Sequence, residues 1–265
     1  MLAARVERLG FLLFFASTPF ACFMVLYTGS ERFTGSEHST GIDQRHYWAI
    51  VNSYAFSVGM CLIYMAPFLS RDVPFAKRLD HASWNWVIWL SVFTHLVFQI
   101  PHNLFPGHLH AARGTAIEWP FWSYALSDSR WSDYMHVWPN GSTGLHPDVW
   151  LINWNDGSLG LAVGLAALLW RRHRSPERKV WLLLVTVFRD ATLWRETVEY
   201  MWDHHRGGYA HTTQHVVLRK HAVACLWLVN VLWLVAPVLT AVWAVDQLMA
   251  LISHHAGAGA KRKAK

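Results

Sequence analysis

Residues 84–105 read WNWVIWLSVFTHLVFQIPHNLF, a run without a single Asp, Glu, Lys or Arg. Its length matches the roughly 20 apolar residues that a helix needs to cross a bilayer. Among the polar side chains that interrupt it are His95 and Gln99, whose four-residue spacing stacks them on one helical face. A single buried polar residue often finds a local partner and carries no function, so the pair gains meaning only from what surrounds it. Five more runs of similar length begin at Leu9, Tyr47, Val149, Val180 and Ala222. The pattern predicts an all-α integral membrane protein, a bundle of about six transmembrane helices. The 265-residue chain is 53% hydrophobic and only 15% charged, with 17 Trp, a balance that argues against an ordinary soluble domain.

The first run follows Arg5 and Arg8, as a signal peptide would, but its apolar core is long and no small-x-small site closes it before the polar stretch from Gly29 to Arg45. A retained anchor helix is expected. With six spans, the N-terminus, the loops carrying Arg71 and Arg171, and the tail share one side and hold fourteen Lys and Arg, against seven opposite. The positive-inside rule then places both termini in the cytoplasm. The formal charge of +6 serves topology on this view, and no nucleic-acid partner is expected. The tail, with Lys261 and Lys263, fits either a dilysine retrieval signal to the endoplasmic reticulum or an anchor to anionic lipid. Three units are expected: an N-terminal helix and loop over 1–45, a membrane domain over 46–250 and a basic cytoplasmic tail over 251–265. Cys22, Cys61 and Cys225 lie in apolar runs without paired spacing, so neither a disulfide framework nor a cysteine-based zinc site is expected.

Charged groups inside spanning helices cost at least about 2.5 kcal/mol each on insertion scales and face interior cavities by default. Asn153, Asn155 and Asp156 fall on the fourth run, Arg189, Asp190, Arg195, Glu196 and Glu199 on the fifth, and Asn230 on the sixth. Arg189 with Asp190, and Arg195 with Glu199, are placed to neutralise one another. Glu196 and Glu199 stand three apart, and two crowded carboxyls in an apolar pocket would keep a proton available as a general acid. Many Trp, among them Trp154 and Trp233, suit interfacial belts or packing. Around a cavity, their ring faces would stabilise a cation by about 0.5 to 2 kcal/mol each. A buried acid beside an aromatic wall is the chemistry of a carbocation, which needs no metal or redox cofactor.

Seventeen His demand a second reading. His102, His108 and His110, and then His204, His205, His211, His215 and His221, cluster as they do in membrane di-iron oxygenases. Only one HxxxH spacing is formed and no HxxHH box, so no metal site is expected.

Four segments together carry a resemblance: FTHLV on the third run, WSYALSDSRW in the following loop, EYMWDHHRGGYAH closing the fifth, and VNVLWLVAP on the last. In this order they resemble the EXPERA family, whose emopamil-binding members are sterol delta-8 to delta-7 isomerases, over roughly residues 47–265. The resemblance implies a five-helix core to which this chain adds one N-terminal helix. It implies that His95 is a pocket histidine, that Asn230 and Trp233 face the ligand, and that Asp128 and Arg130 match the loop's Asp-Ser-Arg. Asp203, His204 and His211 match the motif closing the fifth helix, and Asp156 aligns best with the family's essential carboxylate. Gln99 stands where the family has a Glu, and an amide cannot exchange a proton.

The expected function is therefore a membrane-embedded isomerase that shifts a double bond in a sterol or related polycyclic terpenoid. His95, Asp156, Glu196 and Glu199 would carry the chemistry, and Gln99, Asn230, Trp233, Trp154, Asp128 and Arg130 would bind substrate, with no cofactor. Cationic amphiphilic amines are expected inhibitors, membrane lipid is the surroundings, and a homodimer is left open. A non-catalytic sterol-binding protein is the alternative, followed by a terpene cyclase and the di-iron oxygenase.

Overall fold

The computed structural model describes residues 2–27, 44–112, 124–213 and 218–263. Arg32, Arg113, His215, Lys265 and the side chains of Lys261 to Lys263 lie outside the described residues. The architecture is helical: α1 (Leu2–Tyr27), α2 (Gln44–Met65), α3 (Phe75–Trp84), α4 (Ile100–Leu104), α5 (Pro106–Ala111), α6 (Pro147–His173), α7 (Pro176–Arg206) and α8 (Leu218–Lys263). Among the described residues the only strands are β1 (His136–Val137) and β2 (Thr143–Gly144), paired antiparallel. Among the described residues, three segments are long and apolar enough to cross a membrane, Leu2–Met24, Tyr47–Leu69 and Leu218–Ser253. The α6 and α7 helices span 27 and 31 residues; of the charges foreseen on them Asp156, Arg189 and Asp190 are buried, Glu196 is half-buried, and Arg195 and Glu199 are exposed.

Between α3 and α4 the chain does not run as one α-helix. Asn85–Val92 and His95–Gln99 are wound as π-helix, with the Phe93 amide donating to the Ile88 carbonyl and the Ile100 amide to that of His95. Such wider turns are rare and gather at functional sites. They keep His95 and Gln99 together on the inner face, where both are buried.

Helix ends follow local chemistry. Pro147 and Pro176 occupy the first turns of α6 and α7, where no amide hydrogen is needed. The Ser175 hydroxyl accepts from the Arg178 amide, and Glu177 favours the positive end of the helix dipole. Arg171, Arg172 and His173 crowd the C-terminus of α6, where cations suit the carbonyls, and Arg174 ends it in the left-handed region at φ 50°.

Packing against α1 is unusually close. A Cβ on Gly10 would lie 2.8 Å from the Ile63 amide nitrogen, and one on Gly59 would lie 2.7 Å from that of Phe14. Two glycines therefore let α1 and α2 touch backbone to backbone, a device of helices that associate in lipid. The main core joins Trp86, Leu90, Tyr64, Leu182 and Trp233 at the centre of the bundle.

Candidate functional site

A cavity of about 180 Å³ opens beside this core. Helices α1, α2, α6, α7 and α8, the π-turn at His95 and the loop from Tyr124 to Trp131 all contribute to its wall. Phe56, Met60, Phe98, Leu193, Val229 and Trp233 make the wall largely apolar, the usual make-up of a small-molecule site.

Its polar face is a connected chain. His95 Nδ1 makes a short hydrogen bond to Gln99 Oε1, and Gln99 Nε2 donates to Asp156 Oδ2 at 3.1 Å. Because the glutamine oxygen only accepts, Nδ1 carries the imidazole proton and Nε2 is left with a lone pair. That Nε2 is buried without a hydrogen-bond partner. Glu196 is arranged alike: Asn155 Nδ2 donates to its Oε1 at 2.7 Å, while its buried Oε2 has no partner. Asp156 and Glu196 are close enough to interact directly. Gly160 permits the approach of α6 to the histidine, since a Cβ there would lie 3.1 Å from His95 Cβ.

Trp233 backs the histidine, with ring centroids 5.4 Å apart and the planes tilted by 43°. Trp86 meets Trp233 edge to face at 4.6 Å and donates its indole N–H to Asp190 Oδ1 at 3.2 Å. Asp190 in turn binds Arg189, as the sequence predicts, with N···O contacts of 2.5 and 2.9 Å. Removing either partner of such a pair would strand a charge in a dry core.

Over one end of the cavity lies a cap. Arg130 binds Asp128 through two nitrogens at 2.9 to 3.1 Å and reaches Asp148 at 3.0 Å and Asp203 at 3.1 Å. Asp128 also accepts from the Tyr200 hydroxyl at 2.9 Å and lies 3.2 Å from His204 Nε2. Burial alone would push the Asp128 carboxyl up, but the hydrogen bonds from His204 and Arg130 and the guanidinium charge outweigh it and hold the group well below the usual carboxylate range. Burial likewise opposes the Arg130 charge, yet Asp128 holds that guanidinium above its ordinary value. His102, buried on α4, fixes the same cap: Asn153 donates to its Nδ1 at 2.9 Å, leaving Nε2–H to reach the Trp131 carbonyl at 2.9 Å.

Of the residues singled out in the sequence, His95, Gln99, Asp156, Glu196, Asn230 and Trp233 come together around the cavity. Four do not. Glu199 points outward and pairs with Arg195 at 3.4 Å, because three residues along a helix turn the side chain about 60° from Glu196. Trp154 packs on Trp150 and is absent from the cavity wall. Asp128 and Arg130 lie behind the wall, bound to each other and to neighbouring elements, so their geometry serves the cap rather than a ligand. Asn52, Thr18, Tyr124 and Trp131 line the cavity and were not foreseen. Tyr124 and Trp131 lie within the quoted WSYALSDSRW segment without having been singled out, whereas no motif marks Thr18 or Asn52, although Asn52 is the one amide side chain within the apolar run from Tyr47. Burial pushes the Tyr124 phenol up to about 12.

The histidine clusters do not converge. His102 and His204 are buried in the cap contacts described above, while His108, His110, His205, His211 and His221 are exposed. Among the described residues no three His, Cys, Asp or Glu side chains are placed to hold a metal ion. Compared with known proteins, the chain matches no family model, no curated protein and no solved structure.

Proposed function

We propose that the protein is an isomerase of the EXPERA type that moves a double bond within a sterol or related polycyclic terpenoid. It would reside in the endoplasmic reticulum or a related endomembrane, with six spans and both termini cytoplasmic. The observation that carries the reading is two of the buried, unpartnered atoms on one largely apolar cavity, His95 Nε2, a base, and Glu196 Oε2, a carboxyl oxygen.

The reaction follows from their placement. A proton leaves the Glu196 and Asp156 carboxyl pair for one alkene carbon, and the π electrons form the new C–H bond, leaving a cation at the neighbouring carbon. The face of Trp233 and the remaining carboxylate stabilise that cation. His95 Nε2 then removes a proton from the adjacent carbon, and the electrons of that C–H bond become the shifted double bond. The ligand gains one proton and loses another, so its formula is unchanged, and exchange with solvent returns a proton to the carboxyl and takes the one on His95 before the next turnover. Gln99 is a structural link that holds the histidine tautomer, since its amide passes no proton. Carboxyls and a neutral histidine on one cavity wall supply an acid and a base to the same ligand, the arrangement acid/base catalysis uses.

A non-catalytic sterol-binding role is the second reading, and Gln99 favours it, because the acid that the resembling family places there is missing. Incubating the purified protein with a delta-8 sterol in heavy water separates the two. An isomerase yields a delta-7 product carrying deuterium; recovery of unlabelled, unshifted sterol would remove the enzymatic reading.

A further inference from the structure

Opposite in origin to the acid wall, α1 and α2 supply a second polar feature of the cavity. Asn52 is 6% exposed and lines the cavity together with Thr18. The Thr18 hydroxyl donates to Asn52 Oδ1 at 3.2 Å. With its oxygen engaged, the amide is held one way round, and its Nδ2 hydrogens are the group left to the cavity. A buried donor facing an apolar space is costly unless something accepts from it. His95 and Glu196, by contrast, come from the π-turn and α7. A ligand filling the cavity thus meets a fixed hydrogen-bond donor on one set of helices and the proton-transfer groups on another.

We infer that Asn52, oriented by Thr18, is a specificity residue that recognises an oxygen acceptor, a hydroxyl or ketone, on an otherwise apolar polycyclic ligand. The inference rests on the reading that the cavity takes such polycycles, and it names their class further: oxygenated polycycles rather than hydrocarbons. It applies whether the bound molecule is turned over or merely held. It also gives α1 a part in recognition, since Thr18 belongs to that helix. A site built to bond an oxygen discriminates against the analogue that lacks it, because the amide is then left unpaired.

The test is equilibrium binding in lipid nanodiscs of two probes, a delta-8 sterol and the same ring system without its hydroxyl. Wild type is expected to prefer the sterol by about three- to tenfold, the range of one neutral hydrogen bond. Asn52→Leu keeps the branched heavy-atom skeleton and removes the donor, so it should abolish the preference while leaving hydrocarbon affinity unchanged or raised. Thr18→Val retains the amide but frees its orientation, and should reduce the preference without erasing it. Equal loss of both probes in Asn52→Leu with an unchanged melting temperature would overturn the inference, as would a wild type that binds both equally. A wild type that binds neither probe overturns the proposed function as well, which separates the two failures.

Discussion

The cavity wall and the cap contain the same chemical groups, carboxylates, histidines and amides, but the two differ in how completely their carboxylates are paired. In the cap, Arg130 meets three carboxylates and Asp128 takes hydrogen bonds from Arg130 and Tyr200, with His204 at 3.2 Å. At the wall, the chain His95–Gln99–Asp156 is ordered, yet it ends on an imidazole nitrogen with no partner, and Glu196 keeps a bare oxygen. Buried polar groups that are paired hold elements together. Those left unpaired have a cost that a bound molecule can relieve where they line a cavity; His204 Nδ1 and Asn153 Oδ1 in the cap are unpartnered too, so it is an unpaired group on a cavity wall that marks the site.

The largest way to break the comparison is Asp156→Asn. Loss of the charge and of the shared proton should lower turnover by at least about a hundredfold, as removing a general acid does, with amine or sterol binding weakened and retained. Isomerase activity within twofold of wild type would take Asp156 out of the mechanism. Arg130→Ala, on the cap, should act on stability instead. It strands Asp128 and should cost about 3 to 5 kcal/mol, read as a lowered denaturation midpoint in detergent, while the activity of the folded fraction persists.

Acid sharpens the contrast. The Asp128 carboxyl is depressed from its ordinary 3.8, so its contribution to stability is complete above that pH and declines as pH falls below it towards the folded value. Comparing wild type with Asp128→Asn across pH should give a constant difference in stability from pH about 8 to 5, shrinking only under strongly acid conditions. A difference that shrinks already between those two pH values would contradict the depressed carboxyl. A smaller effect belongs to Trp233→Leu, which should weaken binding of a lipophilic tertiary amine by roughly two- to thirtyfold, the span of one cation–π contact, and an uncharged analogue much less. Smallest is Glu199→Gln: an exposed pair contributes about 0 to 1 kcal/mol, so turnover and stability should stay near wild type. A large loss of turnover would return Glu199 to the site.

Much of this was legible in the sequence because periodicity and cost are local properties. The helical segments coincide with the apolar runs, and His95, Gln99, Asp156 and Glu196 were singled out because polar groups are expensive there. What stayed hidden depends on how elements meet. Thr18 and Asn52 reach the cavity only because two glycines bring α1 against α2. The spacing of Glu196 and Glu199 suggested crowded carboxyls, but the angular offset of a three-residue step lies across the edge of the cavity, giving one to Asn155 and the other to Arg195. Asp128 and Arg130 drew notice through resemblance, but the carboxylates that hold Arg130 in place come from α6 and α7, far along the chain.

The glycine crossing of α1 and α2 has a mechanical meaning as well. Gly10 and Thr18 are eight residues apart, about 12 Å along a helix. With its fulcrum at the glycines, α1 works as a lever whose far arm carries Thr18. A methyl group added at Gly10 would force the backbones apart at the pivot and tilt that arm, changing what the cavity admits without touching any residue that lines it.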